Sequence, residues 1–265
     1  MNQLNDIRRV LISGGHGFLG SALKTRLASL GCETLVLTRS VRGAGDIRWN
    51  PAAREIEGEK LNGIDAVVHL AGESLTSGRW TKERKASFRS SRVEATDFLV
   101  EALGRCELPP KIFLCSSGIG VYGNSGYAIC DESTGRGEGF LADLCVDWER
   151  AAMKAESFAR RVVSLRTGVV LSPESGALKL MLPIFRKGLG GQIGDGKIWM
   201  SWIALEDWVE AVIFILGNEL EGPVNLAAPE AVSNGAFTKA LGKALGRPTV
   251  FPVPRFMLKG MYGSE

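Results

Sequence analysis

The chain has 265 residues, 45% of them hydrophobic and 23% charged, with a formal net charge of +3. These values fit one soluble α/β domain carrying a smaller lobe; the charge is too small and dispersed to argue for nucleic acid, and no run approaches membrane-spanning length. Five cysteines without a CxxC pair and two histidines, His16 and His69, give no metal-ligand pattern, so reduced thiols in a cytoplasmic protein and no bound metal are expected.

Val10-Leu11-Ile12 reads as a short buried strand. Leu19, Leu23, Leu27 and Leu30 then fall near helical spacing, with Gly31 as a stop. Between them lies Ser13-Gly14-Gly15-His16-Gly17-Phe18-Leu19-Gly20. A strand, a glycine loop and a helix in that order suit a dinucleotide. Gly14 permits a tight turn, Gly17 lets the backbone approach a pyrophosphate, and Gly20 lets the helix pack on the strand. The helix N-terminus offers N–H groups and partial positive charge to the phosphates. An ordinary glycine turn is the alternative.

Residues 34–38 make a second strand that ends at Arg39, with Arg42 close behind. An acidic residue here would take a ribose 2′-hydroxyl. Arginine instead suits a 2′-phosphate through paired, charge-assisted hydrogen bonds. NADP(H) is therefore favoured over NAD, unless Arg39 is simply a solvated strand end. Residues 40–62, broken by Gly43, Gly45, Pro51 and Gly58, suggest a loop with at most a short strand or helix. Residues 64–72 form another buried strand running into a turn. There Ala71 and Gly72 let a cofactor's adenosine half pass close to the backbone. Glu73 orients a ligand or caps a helix, and His69 reads as a satisfied core or strand-end histidine.

A long helix opens near Arg79 and buries Val93, Thr96, Leu99, Val100 and Leu103 before Gly104. The strand at 111–115 ends in Ser116-Ser117-Gly118-Ile119-Gly120-Val121-Tyr122. Ligands of parallel sheets bind beyond the carboxyl ends of the strands, so Ser116, Ser117 and Tyr122 sit where hydroxyls are useful. A glycine-rich loop at 124–140 precedes a helix with Leu141, Leu144, Cys145, Trp148, Ala152 and Ala155 on one face. The strand at 162–165 runs into Arg166-Thr167-Gly168-Val169, by position near a nicotinamide ring.

Composition shifts after Pro173. A helix around Leu178–Phe185 leads to the glycine-rich 188–196 segment, either a mobile lid or an ordinary surface loop. A helix at about 206–216, a short strand at 224–226 and a helix N-capped by Asn234 follow. The expected division is 1–172 for the cofactor and 173–265 for a lobe closing over substrate.

Together these residues resemble the extended short-chain dehydrogenase/reductase superfamily, and within it the atypical epimerase-family branch. That branch includes bacterial sugar-epimerase-like and cell-division-inhibitor-like proteins. The marks are Gly14-xx-Gly17-xx-Gly20, His69-Leu70-Ala71-Gly72-Glu73, Arg79-Trp80-Thr81 followed by Ser91-Arg92, and Leu165-Arg166-Thr167-Gly168-Val169-Val170-Leu171. Further marks are Met181-Leu182-Pro183 with Gly188-Leu189-Gly190-Gly191, and Trp202-Ile203 followed by Asp207. The resemblance implies a Rossmann-like doubly wound parallel sheet, a small C-terminal α+β substrate lobe and NADP(H). The cofactor contacts it implies are Gly14, Gly15, His16, Gly17, Phe18, Leu19, Gly20, Arg39, Leu70, Ala71, Gly72, Glu73, Ser116, Arg166, Thr167, Gly168 and Val169.

Two departures stand out. The superfamily uses a Tyr-xxx-Lys pair, in which lysine lowers the tyrosine's pKa for proton exchange during hydride transfer. None of Tyr122, Tyr127 and Tyr262 has a lysine four residues later, and Leu141 and Cys145 stand in the pair's place. Gly118 matches the superfamily's catalytic Ser/Thr. The second departure is the end at Gly263-Ser264-Glu265, where relatives continue, so a truncated lobe is expected.

Two functional readings follow. One is an NADP-dependent oxidoreductase or epimerase acting on a nucleotide-sugar or other carbonyl compound, with Tyr122 and Ser117 as the catalytic candidates. A tyrosine left alone titrates near ~10, so Tyr122 needs a cationic neighbour such as Arg166; otherwise it is a buried aromatic. The other is an NADP(H)-binding scaffold or redox sensor linked to cell division. A homodimer through the helices around 83–103 and 141–159 also stays open, since packing on the sheet explains their stripes equally well.

Overall fold

The computed structural model describes residue 4 and residues 6–75 and 78–252. Tyr262 and Gly263-Ser264-Glu265, which carry the expectation about the chain's end, lie outside the described residues. In chain order the elements are β1 (Arg9–Ser13), α1 (Phe18–Ser29), β2 (Glu33–Thr38), β3 (Asp46–Asn50), β4 (Glu55–Ile56) and β5 (Ala66–His69). Then come α2 (Lys82–Arg89), α3 (Ala95–Gly104), β6 (Ile112–Gly118), α4 (Phe140–Met153), β7 (Arg161–Thr167) and β8 (Val169–Leu171). The last are α5 (Gly176–Arg186), β9 (Trp199–Met200), β10 (Trp202–Ala204), α6 (Leu205–Gly217), β11 (Gly222–Leu226), β12 (Val232–Ser233) and α7 (Asn234–Leu245).

Among the described residues, eight strands form one sheet in the order β11-β7-β6-β5-β1-β2-β3-β4. All neighbours are parallel except the β3–β4 pair. Both faces are covered, as a parallel sheet requires. Alternation along the strands sorts the core. Leu11, Val67 and Phe113 point toward α2, α3 and α4, where they meet Phe88, Leu99 and Trp148. Val10, Val68 and Leu114 point the other way, onto Leu23 and Leu27 of α1 and Trp208 of α6. This is the Rossmann-like doubly wound sheet. Strand order reverses beside β1, since β2 lies on one side of it and β5 on the other. A crevice therefore opens at the carboxyl ends of β1 and β5, where open α/β sheets bind ligands.

Three local expectations are corrected. Residues 40–62 hold more than the one short strand or helix allowed for: Ile47 and Trp49 alternate with exposed Arg48, β3 joins the sheet beside β2, and β4 pairs antiparallel with β3. The cap of α7 is Ser233, whose side chain accepts from Ala236 N, while Asn234 Oδ1 accepts from Ile193 N at 2.6 Å. The helix expected through 159 ends as α4 at Met153, followed by a single tight turn. The described part of the later segment, residues 173–252, also returns to the main sheet. α6 lies on α1, where Arg26 pairs with Glu210 at 2.6 Å, and β11 extends the sheet beside β7. β8 with β10, and β9 with β12, form two small separate pairs.

Trp208 of α6 is fully buried and donates to Thr167 Oγ1 at 3.2 Å. It ties the later segment to β7. Trp208→Ala is expected to cost about 3–5 kcal/mol and to leave a single urea transition; two separate transitions would show that the lobe unfolds on its own.

Candidate functional site

The glycine loop sits at the strand-order reversal. Gly14 has φ +70° and lies against the β5 end: a Cβ there would stand 3.2 Å from Leu70 O and Ala71 N. A Cβ at Gly20 would stand 2.3 Å from Gly14 O, so any side chain would push α1 off β1. The N-terminus of α1 carries neither a capping side chain nor an acidic first turn. Its first N–H groups have no partner within the helix, and the dipole is positive there. The residues present thus fit a bound diphosphate. Gly17 is exposed, and Phe18 meets Gly176 at the start of α5, joining the loop to the later segment.

A buried hydrogen-bond chain holds the 70–71 backbone against this loop. Ser13 Oγ accepts from the N–H groups of Leu70 and Ala71, both at 3.0 Å. With its lone pairs filled, its proton goes to His69 Nδ1 at 2.6 Å. His69 Nε2 then carries the ring hydrogen and donates to Thr96 Oγ1 at 2.9 Å. Thr96 also accepts from Trp148 Nε1 at 2.9 Å and donates to the Arg92 carbonyl at 2.5 Å. His69 has no exposed surface, and burial pushes its pKa down to about 3. It is a neutral strut.

Beside the loop, His16 Nε2 lies 3.0 Å from both carboxylate oxygens of Asp46, which also accepts from Arg42 N at 2.7 Å. Burial raises the Asp46 pKa, but the bonds from Arg42 and His16 outweigh it and hold the carboxyl below its ordinary value. Lys24, Arg42 and His16 line a groove of about 630 Å³ here. Arg39 is exposed at the end of β2, without an ion pair among the described residues. Asp46 carries no signal in the sequence, because the glycines around it point to a loop with at most a short strand or helix.

Glu73 is held rather than free. Its carboxylate takes Arg84 and Ser87, and its N–H donates to Ser91 Oγ at 3.1 Å. Ser116 is half-buried in β6. Thr167 Oγ1 is engaged by Trp208 and the Leu165 carbonyl, while Gly168 and Val169 are stitched by backbone bonds to Leu226 and Ser201.

Ser117, Tyr122 and Arg166 come together in a second cluster. Register aligns Ser117, Arg166 and Asn225 in one row across β6, β7 and β11. Glu149 of α4 reaches this row. Its Oε1 accepts from Ser117 Oγ at 2.7 Å and Arg166 Nε at 2.9 Å, and its Oε2 accepts from Arg166 Nη2 at 2.9 Å. Arg166 Nη1 donates to Tyr122 Oη at 3.0 Å and the Glu132 carbonyl at 3.3 Å. Tyr122 Oη donates to Asn225 Oδ1 at 2.7 Å. Glu149 raises the Arg166 pKa further, so the cation is permanent. Glu149 lies four residues after Cys145, a charge on an otherwise apolar stripe; that was the signal available in the sequence. Next to the cluster, a Cβ at Gly118 would stand 3.9 Å from Cys145 Sγ, and one at Gly120 would stand 3.4 Å from Leu141 Cβ.

Residues 10–227 match the NAD dependent epimerase/dehydratase family. The epimerase family protein Mb2239 of Mycobacterium bovis is 40% identical over 256 residues, covering 96% of this chain and 84% of that protein. Human epimerase family protein SDR39U1 is 35% identical over 261 residues, covering 97% of this chain and 87% of that protein. The crystal structure of human SDR39U1 (isoform 2) with NADPH superposes with a TM-score of 0.86 at 33% identity, covering 96% of this chain and 86% of that one. The nucleoside-diphosphate sugar epimerase of Corynebacterium glutamicum gives 0.79 at 33% identity, covering 96% of this chain and 54% of that one.

Two measurements follow from the buried groups. Between pH 6.5 and 3 the unfolded chain protonates His69 and the native state does not. Stability from this group is therefore complete above about pH 6.5 and falls below it by about 1.4 kcal/mol per pH unit, levelling off near pH 3. Urea unfolding at pH 6.0 and 4.5 is expected to show a steeper loss for wild type than for His69→Gln. Separately, Glu149→Ala leaves Arg166 buried without its counter-ion and is expected to cost about 3–5 kcal/mol in urea, whereas a Glu149→Leu/Arg166→Leu double variant loses less. Equal losses would mean that the pair acts only through packing.

Proposed function

The chain belongs to the NAD dependent epimerase/dehydratase family, and from that premise we propose that it is an NADP(H)-dependent oxidoreductase or epimerase acting on a small carbonyl compound. The carrying observation is the Gly14–Gly20 turn, packed against Leu70 and Ala71 at the strand-order reversal. The human relative crystallised with NADPH, at a TM-score of 0.86, supports the choice of cofactor. In this reading the N–H groups opening α1 hold the pyrophosphate, and the 70–72 backbone lies along the adenosine half. Arg39, exposed and without an ion pair among the described residues, takes the 2′-phosphate. The cofactor, when bound, supplies or accepts the hydride.

Proton handling falls to this chain's own groups. Tyr122 is the hydroxyl with a cation beside it, since Arg166 Nη1 lies 3.0 Å from its oxygen. Ser117 is tied to Glu149 and orients rather than attacks, because among the described residues no histidine lies in its bonding network to act as base. The substrate is a nucleotide-sugar or a related carbonyl compound. The C. glutamicum relative, described as a nucleoside-diphosphate sugar epimerase, supports that class.

One observation favours a second reading. The Tyr122 hydroxyl already donates to Asn225, so the cluster closes on itself. A cofactor-binding scaffold or redox sensor would keep such a cluster for rigidity alone. A panel of aldehydes, quinones and nucleotide-sugars with NADPH separates the two. Turnover that falls about 10²–10⁴-fold in Tyr122→Phe supports the enzyme; tight binding with no turnover supports the scaffold.

Calorimetry tests the cofactor directly. Wild type is expected to prefer NADPH over NADH by at least about tenfold, and Arg39→Ser to lose most of that preference while keeping its NADH affinity. Equal binding of both cofactors by wild type would remove Arg39 from the site.

A further inference from the structure

Among the described residues, three arginines are buried: Arg92, Arg161 and Arg166. Two have their donors answered within the fold. Arg161 donates to the carbonyls of Ile215, Leu216 and Leu220, at 3.1, 2.9 and 3.0 Å, around the end of α6. A cation there meets the negative end of the helix dipole. Arg166 is clamped by both oxygens of Glu149.

Arg92 has no such partner. Its Nη2 donates to the Glu73 carbonyl at 2.9 Å. Its remaining hydrogen bonds are long, to the Phe88 carbonyl at 3.4 Å and Ser91 Oγ at 3.5 Å. Among the described residues no carboxylate hydrogen-bonds it: the charge of Glu73 acts on it through space, but Glu73 gives its oxygens to Arg84 and Ser87. The guanidinium rests on the Trp148 ring, 5.2 Å from its centroid. A guanidinium presents five N–H donors in a fixed fork, and one short bond to a neutral oxygen does not account for them. Burying such a cation without a directly bonded counter-charge opposes folding.

Its setting is that of a ligand-binding group. Arg92 lies in a π-helical turn, Ser90–Glu94, between α2 and α3; such turns recur at functional sites. Gly72 leaves room for it, since a Cβ there would stand 3.1 Å from Arg92 Cζ. It also lies close enough to Cys145 for its charge to act on the thiol, which burial pushes up and which Gly118 N–H, Ser117 and Arg92 draw down against Glu149. Cys145 stands where the Tyr-xxx-Lys pattern would place its lysine.

We propose that Arg92 is the substrate-binding cation of the reaction site, reaching it from the α2–α3 turn in place of the missing lysine of α4, and that it takes a carboxylate of the substrate. The guanidinium fork matches a carboxylate with two parallel hydrogen bonds, and the anion supplies a directly bonded counter-charge, which Glu73, turned to Arg84 and Ser87, does not. The location of the reaction centre rests on the cofactor reading above; carboxylate binding by Arg92 does not.

The test is calorimetric titration of oxalate and of malonate into the full chain, with and without saturating NADPH, for wild type, Arg92→Gln and Arg92→Met. Wild type is expected to bind at least one of the two probes, and both variants at least about tenfold more weakly. NADPH affinity is expected to stay within about threefold in Arg92→Gln. Thermal melts give the independent readout. An arginine held for a ligand leaves the melting temperature of Arg92→Met unchanged or raised. A drop of more than about 5 °C, no probe binding by wild type, or equal binding by wild type and variants overturns the proposal. Failure of wild type to bind NADPH overturns the cofactor reading instead, and the cofactor-free titrations then decide Arg92.

Discussion

The contact on which the rest of the site depends is the approach of α1 to the end of β1. A Cβ at position 20 would stand 2.3 Å from the Gly14 carbonyl, so the helix can begin there only without side chains. That approach brings the opening N–H groups of α1 to the point where strand order reverses, and it presses Gly14 onto Leu70 and Ala71. The Ser13–His69–Thr96 chain keeps this arrangement rigid. Each hydroxyl in it both donates and accepts, and the buried ring has one tautomer that satisfies every member. Rigidity here is bought with a histidine that must stay neutral.

The other end of the site is built from charge rather than backbone. Leu141 and Cys145 of α4 face Gly120 and Gly118, and the polar groups of the second cluster come from several elements. Tyr122 follows β6, Arg166 lies in β7, Asn225 in β11 and Glu149 in α4. Arg166 is neutralised by Glu149, which makes it a support for Tyr122 rather than a free charge. Arg92 differs because, among the described residues, no carboxylate hydrogen-bonds it.

Much of the fold was legible because its signals are local. Strands such as Val10-Leu11-Ile12 are continuous apolar runs, and α1 carries leucines at helical spacing before a glycine stop. Strand β3 was obscured because only Ile47 and Trp49 are apolar and glycines and a proline surround them. Asn234 and Ser233 are both capping types, and only the backbone decides between them. The glycine turn against Leu70 and Ala71 was legible, because it is set by local backbone. The site was less legible where side chains meet across the fold. Arg166 was placed near the nicotinamide by position, yet its guanidinium is committed to Glu149, Tyr122 and Glu132. Arg92 falls four residues after Phe88 and four before Thr96, both buried, so its face could be read. The absence of a carboxylate opposite it could not, because that depends on where Glu73 turns.

Phosphorus NMR of NADPH with and without the chain tests the central claim, that the opening of α1 holds a pyrophosphate while Arg39 holds a 2′-phosphate. The account predicts that the pyrophosphate and 2′-phosphate resonances both move on binding, and that Arg39→Ser returns only the 2′-phosphate toward its free position. Resonances that stay at their free positions with saturating chain, or a pyrophosphate signal that moves only with the 2′-phosphate in Arg39→Ser, would contradict it.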